Sequence, residues 1–193
     1  MVSLSKNQSV SLAKQSAGLS AVVFGLGWDA VKPKGFFGAV FGGEQSIDLD
    51  ASCVLISGNG DVIDTIWFRQ LKSKCGSVIH SGDNRTGDGD GDDESIKVNL
   101  AALPAKVEYL VVTVNSFQGQ TFNKVENAFC RAVDQSNKEL ARYKLTEQGE
   151  HTGVIIASLS RNNGQWDFTA HGMASRGRTI DDMMSDIKSV VGQ

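Results

Sequence analysis

The sequence predicts a mainly β protein with the architecture of an antiparallel sandwich or barrel. Short apolar stretches recur along its 193 residues, and segments rich in Gly, Asn, Asp and Ser separate them. Residues 57–61, 135–138 and 161–164 carry turn signals of this kind. Many short strands at such spacing are typical of sandwiches and barrels. Strands do not alternate with long helical patterns, which argues against a doubly wound parallel sheet.

Eleven segments have the length and composition of strands, because they place apolar and β-branched residues between turn signals. In chain order, the predicted strands span residues 9–13, 19–25, 47–56, 62–68, 78–80, 96–99, 109–115, 128–133, 140–145, 153–160 and 165–170. The number of these short segments is the main argument for a β-rich fold.

A C-terminal amphipathic helix is predicted at residues 179–191. Its apolar residues recur with three- and four-residue steps and are Ile180, Met183, Met184, Ile187, Val190 and Val191. Thr179 can cap the amino-terminal end, where Asp181 and Asp182 favour the helix dipole. The methionines are expected to face the core. A second short helix is predicted at 122–127.

Composition indicates one globular domain spanning residues 1–193. The chain has 40% hydrophobic and 21% charged residues, and it is long enough to bury a core. Its formal net charge of −3 gives no electrostatic case for a nucleic-acid partner. No apolar run reaches the ~20 residues that a transmembrane segment needs. The first fifteen residues lack the apolar core of a signal peptide, so a cytoplasmic location is expected.

The three cysteines, Cys53, Cys75 and Cys130, form neither a CxxC pair nor a Cys/His cluster with zinc spacing. Cys53 and Cys130 lie in apolar stretches and are predicted to be buried free thiols. Cys75 lies in a polar stretch, where Lys72 and Lys74 can lower the pKa of its thiol and make it reactive.

Residues 30–46, AVKPKGFFGAVFGGEQS, break the strand rhythm and form a Gly/Phe-rich insertion loop. We predict an ordered hairpin whose aromatic side chains pack on the sandwich. If these side chains are exposed instead, they form an apolar patch suited to a protein partner or a membrane surface.

Residues 82–94, GDNRTGDGDGDDE, hold six carboxylates, and Arg85 is the only basic residue among them. Two carboxylates ~5 Å apart repel each other by roughly 3 kcal/mol at an effective dielectric constant of ~20. A loop of this composition therefore either stays solvated and extended or folds around a cation. The interleaved glycines allow tight turns and offer carbonyl oxygens, and such hard oxygen ligands suit calcium.

A second acidic motif, DLDAS, lies at residues 48–52. Neither motif is an EF-hand. In a twelve-residue frame that starts at Asp88, the sixth position is Asp93 rather than Gly, and the twelfth is Asn99 rather than Glu. A metal site would have to be assembled from separate loops. A solvated acidic loop stays open as the alternative interpretation.

Motifs of common enzymes are missing from the sequence. The histidines His80, His151 and His171 have no spacing that links them to an activated Ser or Cys, and GxSxG, HExxH and GxxxxGKS do not occur. DLDAS has a superficial likeness to the motif of haloacid-dehalogenase-type phosphatases, with Asp48 and Asp50 as an aspartyl-phosphate pair. That chemistry uses a buried parallel strand and βαβ alternation, which this sequence lacks.

Several motifs together carry a resemblance to a known family. They are VSLSK at 2–6, GLGWD at 25–29, DLDAS at 48–52, the acidic segment 82–94, VNSF at 114–117 and ELARY at 139–143. Over nearly its whole length the sequence resembles the TerD-type tellurite-resistance and stress-response proteins, and within them the TerZ branch. The resemblance implies a β-sandwich of two antiparallel sheets with short helices, which agrees with the predicted strands.

The resemblance also implies two calcium ions (Ca²⁺) bound between loops. Matched motif to motif, the ion ligands are Asp29, Asp48, Asp50, Asp83, Asn84, Gly87, Asp88, Asp90, Asp92, Asp93 and Glu94. The family often has Glu where this chain has Asp88. The Asp88 side chain is one methylene shorter and therefore reaches less far toward an ion. The insertion at 30–46 is longer than in the commonest members and lies between Asp29 and Asp48.

The function implied is that of a non-enzymatic calcium-binding protein in a bacterial tellurite-resistance or stress-response system. Calcium would order one face of the protein as a scaffold or sensor for partners. These partners are expected to be other proteins of the system, including a membrane-embedded one, so the protein itself is expected in the cytoplasm or peripherally at the inner membrane face. Three alternatives stay open: a magnesium-dependent phosphoryl-transfer enzyme, a thiol-based reductant of tellurite, and a module that binds anionic lipid through bridging calcium.

Overall fold

The structure, a computed structural model, describes residues 1–31, 47–82, 91–146 and 148–192. Residues 32–46 of the predicted insertion therefore lie outside the described residues, and so does the expectation that its aromatic side chains pack on the sandwich. The same holds for the predicted ligands Asp83, Asn84, Gly87, Asp88 and Asp90.

Strands dominate the described part of the chain. They are β1 Val2–Leu4, β2 Ser9–Ser11, β3 Ala21–Ala30, β4 Asp50–Ser57, β5 Val62–Ile66, β6 Val78–His80, β7 Glu94–Asn99, β8 Val107–Asn115, β9 Val125–Asp134, β10 Glu139–Lys144, β11 Gly153–Asn162 and β12 Gln165–Ser175. The α-helices are α1 Leu12–Gln15 and α2 Ile180–Ser189, and 3-10 turns span Leu100–Ala102 and Phe122–Lys124.

These strands form two six-stranded sheets. The first sheet has the order β1-β10-β9-β3-β7-β6, and the second has the order β2-β12-β11-β8-β4-β5. Among the described strands, neighbours pair antiparallel except β1 and β10, which pair in parallel at one edge of the first sheet. The predicted mainly β fold with two antiparallel-rich sheets is confirmed.

Side chains from both sheets meet in one apolar core. In β3, alternate residues Val22, Phe24 and Leu26 are fully buried, because every second strand residue faces the same side of the sheet. The ring of Phe24 lies 6.2 Å, centroid to centroid, from the ring of Phe168 on β12 of the second sheet. The two sheets are therefore packed face to face as a sandwich.

Helix α2 covers the outer face of the second sheet. Val54 and Ile56 of β4 form a second apolar cluster with Met183 and Ile187 of the helix. Because the middle of β4 is buried on both faces, residues 53–56 are a continuous apolar run rather than an alternation. Met183 is fully buried, as expected from the sequence, whereas Met184 is only partly buried.

The predicted cap of this helix is also present. The Asp182 backbone N–H donates to the Thr179 hydroxyl at 3.3 Å, and the Asp182 carboxylate accepts from the Thr179 N–H at 3.1 Å. This reciprocal pair satisfies two donors at the helix start. The helix ends at Ser189, two residues before the predicted boundary. Neither this helix nor any other in the described ranges has the length and apolar character needed to cross a membrane.

The prediction of a helix at 122–127 is wrong. Only Phe122–Lys124 forms a short 3-10 helix, and β9 begins at Val125. Val125 pairs with Ala30 on β3. A β-branched residue beside an available partner strand outweighs the weak local preference for helix.

Several strand boundaries differ from the prediction for similar reasons. The predicted strand 9–13 ends at Ser11, because Leu12 begins α1 and is completely buried. The predicted strand 62–68 ends at Ile66, and the predicted strand 47–56 begins at Asp50. Strand β1 was not predicted, since its three residues are strand only through the remote pairing of Val2 with Ala141.

Candidate metal centre

Residues 91–93, at the end of the acidic segment, cross β3 at two glycines that have no side chain in the way. A Cβ atom added to Gly25 would overlap the Asp92 carboxylate. One added to Gly27 would overlap the Phe129 ring and lie 2.8 Å from the Gly91 carbonyl oxygen. The sequence GLGWD therefore has a steric reason: its glycines make room for residues 91–93 on the sheet.

Asp93 is bonded directly to the backbone of β3. Its N–H donates to the Leu26 carbonyl oxygen at 2.7 Å, and the Trp28 N–H donates to its Oδ2 atom at 2.7 Å. The Asp93 carboxylate thus accepts a backbone N–H of β3 just beyond Leu26, where the pairing of β3 with β7 ends. This fixes Asp93 beside residue 29, the next predicted ligand.

The electrostatic environment of Asp93 is crowded with negative charge. Partial burial raises the pKa of its carboxyl group, and the Trp28 N–H opposes that rise. The neighbouring charges of Asp29, Glu94 and Asp92 raise the pKa further. Three predicted ligands therefore lie near enough to Asp93 to repel its carboxylate.

Glu94 and His80 form a buried polar pair between the sheets. Both are almost completely buried, with exposed fractions of 1% and 3%. Glu94 Oε2 accepts the Ala51 N–H at 2.8 Å and lies 3.3 Å from His80 Nε2, which is itself 3.0 Å from the Ala51 carbonyl oxygen. The pair connects β6 and β7 of the first sheet to β4 of the second.

The same histidine fixes the chain before the acidic residues. The Gly82 N–H donates to His80 Nδ1 at 3.0 Å, so Nδ1 is an acceptor and the ring proton lies on Nε2. This assigns the neutral tautomer, with Nε2–H donating toward Ala51. Both chain segments that flank residues 83–90 are thus attached to the sandwich, at Gly82 and at 91–93.

Asp92 is held on the outer face of the first sheet by an arginine. Arg131 lies opposite Gly25 in the β3–β9 register and donates from Nε and Nη2 to the two oxygens of Asp92, at 2.8 and 3.0 Å. Its Nη1 also contacts Glu139, which pairs with Arg142. Sequence reasoning missed this network, since only the strand register brings the charges together.

The upstream acidic residues have contacts of their own. Asp48 Oδ2 accepts from the Gln118 amide at 2.6 Å, and the exposed Asp29 accepts from the Asn127 amide at 2.7 Å. Asp50 lies opposite Asn115 on β8 and is buried. Leu49, the residue between Asp48 and Asp50, is buried in the core.

Asp29 and Asp93 line the same cleft at this end of the sandwich. The cleft has a volume of about 600 Å³, and Trp28, Phe122 and Arg142 also line it. Within the ranges that the structure describes, no three His, Cys, Asp or Glu side chains are grouped closely enough to hold a metal ion. A metal site here would need further ligands from residues 83–90.

The donor chemistry of the residues present fits a hard cation. The predicted ligands offer carboxylate and backbone carbonyl oxygens, which calcium accepts with flexible geometry and which softer metals bind less well. Both carboxylate oxygens of Asp92 bind Arg131, and Glu94 is almost completely buried between the sheets beside His80. These contacts suit positioning of the segment more than ion coordination.

Outside the acidic region, Ser158 and His171 form a second pair that the sequence did not predict. Ser158 Oγ and His171 Nε2 are 2.8 Å apart, and both residues are buried. Burial lowers the pKa of His171 to about 4. No carboxylate of the described residues pairs with this imidazole, so the pair lacks the third member of a catalytic triad.

The cysteines follow the predicted division between buried and exposed thiols. Cys53 and Cys130 are buried, and burial raises the pKa of each thiol. Cys75 is exposed. Partial burial acts to raise the pKa of Cys75, but hydrogen bonds with Ser73 and Ser77 outweigh it and lower the pKa. The serines, rather than the lysines named from the sequence, are therefore the cause.

Comparison with known proteins connects this geometry to a family. Residues 1–186 match the family model described as the TerD domain. The chain belongs to the TerD family. The tellurium resistance protein TerZ of Serratia marcescens is 71% identical to it over 191 residues, which cover 99% of both chains. The sequence-based resemblance, including its TerZ branch, is confirmed.

Other relatives of this TerD-family chain carry names from two settings. The tellurium resistance protein TerD of an Alcaligenes species is 45% identical over 185 residues, 91% of this chain and 92% of the relative. The stress response protein SCP2 of Bacillus subtilis is 42% identical over 195 residues, 95% and 98% of the two chains. These names place the family in tellurium resistance and stress response, and none of them denotes an enzyme.

Two solved structures share the fold of the TerD-family chain. A homologue of the telluride resistance protein TerD from Streptomyces coelicolor A3(2) superposes with a TM-score of 0.64 at 23% identity, covering 82% of this chain and 92% of the other. A protein of unknown function superposes with a TM-score of 0.69 at 21% identity, covering 85% and 94%.

Because residues 91–93 lie directly on β3 at its glycines, adding one methyl group at Gly27 should destabilise the folded protein more than adding one at an open glycine. Gly27→Ala should lower the free energy of unfolding by about 1–3 kcal/mol, because the Phe129 ring and the Gly91 carbonyl must move. Gly58→Ala is the matched control, since its Cβ would meet only Glu108 Cγ at 3.4 Å. Urea denaturation of both variants checks this, and equal stabilities would contradict the steric account.

The buried imidazole of His171 predicts a pH dependence of stability. Its pKa is lowered from 6.5 to about 4 in the folded state, so the unfolded chain binds the proton first as pH falls. The contribution of the neutral imidazole to the free energy of unfolding is fully present above the unfolded pKa and is lost as pH falls toward the folded pKa. At about pH 5 this loss amounts to at most about 2 kcal/mol.

The control for this prediction is His171→Gln, which does not titrate and can still hydrogen-bond to Ser158. Urea denaturation at pH 7.5 and at pH 5 should show a smaller loss of stability on acidification for the variant than for the wild type. An identical loss in both proteins would assign the acid sensitivity to other groups.

Proposed function

We propose that the protein is a non-enzymatic, calcium-binding member of a bacterial tellurium-resistance or stress-response system. The observation that carries the proposal is the attachment of the acidic segment to one end of the sandwich. Asp93 is held against β3 and lines the same cleft as Asp29. Negative charge is thereby concentrated at a fixed place, where a cation would relieve it.

The proposed ligand set divides into two groups. Asp29, Asp48, Asp50 and Asp93 would coordinate together with the acidic residues 83–90, in the two-ion arrangement that the family resemblance implies. Asp92 and Glu94 would position the segment, because both oxygens of Asp92 bind Arg131 and Glu94 is buried against β4. Calcium suits such a site better than magnesium, which favours few carboxylates and near-octahedral geometry.

Binding would stabilise the folded protein through linkage. Without a cation, the crowded carboxylates repel one another, so part of the binding free energy is spent in ordering them. At free calcium about 100-fold above the dissociation constant, the gain in folding stability is ~2.7 kcal/mol. Calcium would thus act as a structural staple or as a sensor that sets the conformation of this face.

The scaffold role rests on the family setting. We propose that the calcium-ordered face binds other proteins of the same system in the cytoplasm, including a membrane-embedded partner at the inner membrane face. The names of the TerZ and TerD relatives support the setting, since both refer to tellurium resistance.

The strand arrangement does not favour the phosphoryl-transfer alternative. In that chemistry the nucleophilic Asp follows a buried strand of a parallel sheet, whereas β4 has antiparallel neighbours on both sides. Asp48 and Asp50 also precede most of β4 rather than following it.

The proposal is tested by titrating calcium, and separately magnesium, into chelator-stripped protein. Calorimetry should show calcium binding and thermal melting should show a higher Tm, with a weaker response to magnesium. Asp93→Asn and Asp90→Asn should reduce calcium affinity at least tenfold, because each removes a proposed anionic ligand. Asp61→Asn is the control, since Asp61 is exposed in the turn between β4 and β5, at the opposite end of β4 from Asp50.

Two results would count against the proposal. Absence of any calcium response would make the acidic segment a solvated surface loop. A preference for magnesium, or an equal loss of affinity in Asp61→Asn, would show that the proposed ligand set is wrong.

A further inference from the structure

The connection between β5 and β6 passes from the edge of the second sheet to the edge of the first. It presents apolar and basic side chains next to Ile79 of β6, Lys97 of β7 and Phe117, which follows β8. We name this surface the edge platform and define it by Trp67, Phe68, Arg69, Leu71, Lys72, Lys74, Ile79, Lys97 and Phe117. The edge platform shares no residue with the proposed calcium ligands.

The backbone of the edge platform is fixed by a buried carboxylate. Asp64 accepts hydrogen bonds from the Gln70 amide at 2.8 Å, the Lys74 N–H at 2.7 Å and the Thr65 N–H at 3.0 Å. The backbone groups of Trp67 and Gln70 also bond to each other in both directions, at 3.1 and 2.9 Å. The platform is therefore a pre-formed surface.

Large apolar side chains of the platform face solvent. Leu71, Ile79 and Phe117 are 43%, 45% and 46% exposed. Phe68 lies between two other rings, 5.0 Å from Trp67 and 6.3 Å from Phe117, centroid to centroid. A contiguous set of exposed aromatic and aliphatic residues is typical of an interaction surface.

The charges of the platform are all positive. Between Thr65 and Gly82 the chain carries Arg69, Lys72 and Lys74 and no carboxylate, although its net charge is −3. The side chain of Lys74 is 81% exposed, and it is the one platform cation with a carboxylate of the described residues, Asp64, within 4.0 Å.

Cations and apolar groups alternate across the platform. Ile79 pairs with Lys72 on one side and with Lys97 on the other, so the three side chains form one row across neighbouring strands. Arg69 lies over the rings of Trp67 and Phe68, at 5.5 and 5.3 Å from their centroids. Ile79, Trp67 and Phe68 therefore each have a positive charge beside them.

We propose that the edge platform docks the protein on a bilayer that contains anionic phospholipid, without calcium. Charge complementarity selects an anionic surface, and the aromatic and aliphatic side chains suit the boundary between headgroups and acyl chains. Exposed Leu and Ile favour a lipid surface over a nucleic acid, whose bases would stack on aromatic rings alone. This inference does not rest on the proposed calcium function.

The test is sedimentation of the full chain with large unilamellar vesicles of phosphatidylcholine and phosphatidylglycerol in a 3:1 ratio, in excess EDTA. The protein should bind these vesicles and should not bind pure phosphatidylcholine. Reversing Lys72 and Lys74 together to Glu should weaken binding at least tenfold, since each cation near an anionic surface contributes about fivefold. Phe117→Ser should weaken it too.

The matched control reverses the same amount of charge elsewhere. Lys106→Glu with Lys124→Glu changes two exposed lysines outside the platform and should leave vesicle binding within about twofold of wild type. Thermal melting of every variant shows whether its fold is intact, and Leu71→Ser replaces any variant that fails to fold.

Four outcomes would overturn the inference. They are no vesicle binding in EDTA, binding that needs added calcium, equal losses in the platform and control variants, and binding of polyglutamate without binding of vesicles. The second would assign lipid binding to the acidic end of the sandwich. The last would make the platform a docking surface for an acidic polypeptide.

Discussion

The arrangement of the acidic end depends on one steric constraint, the absence of side chains at two positions of β3. Gly25 and Gly27 let residues 91–93 lie on the sheet, where Asp93 bonds to the strand backbone and Asp92 reaches Arg131. A side chain at Gly27 would collide with the Gly91 carbonyl oxygen and the Phe129 ring, and one at Gly25 would displace the Asp92 carboxylate. The two glycines therefore allow Asp92 and Asp93 to hold the end of the acidic segment against the sheet.

A buried polar connection completes this attachment. Glu94 and His80 join the first sheet to Ala51 of the second, and Gly82 donates to the same imidazole. Buried polar groups are costly unless their hydrogen bonds are satisfied, and these contacts occupy both ring nitrogens of the histidine. The chain on each side of residues 83–90 is therefore held by interactions that also hold the sheets together, which couples the acidic segment to the stability of the sandwich.

The sequence predicted the strand-rich fold and the capped helix α2, because local patterns specify both. It failed where tertiary pairing decides the outcome, as at β1, which exists only through β10, and at 122–127, where β9 displaced a helix. Of the predicted ligands, Asp29, Asp92 and Glu94 lie near Asp93, and metal binding by the whole set stays a prediction. The pairing of Asp92 with Arg131 and the Ser158–His171 contact could not be predicted, because strand register brings distant residues together in each.

The central claim is that calcium binds at the end of the sandwich where Asp93 meets β3. Two-dimensional NMR of amide signals during a calcium titration tests it most directly. The signals of Trp28 and Asp93, whose N–H groups bond at this junction, should shift strongly. The signals of Asn59 and Asn163 should stay in place, because these residues lie in the turns after β4 and β11, away from the end of β4 that begins with Asp50. Unchanged signals at Trp28 and Asp93 would contradict the account.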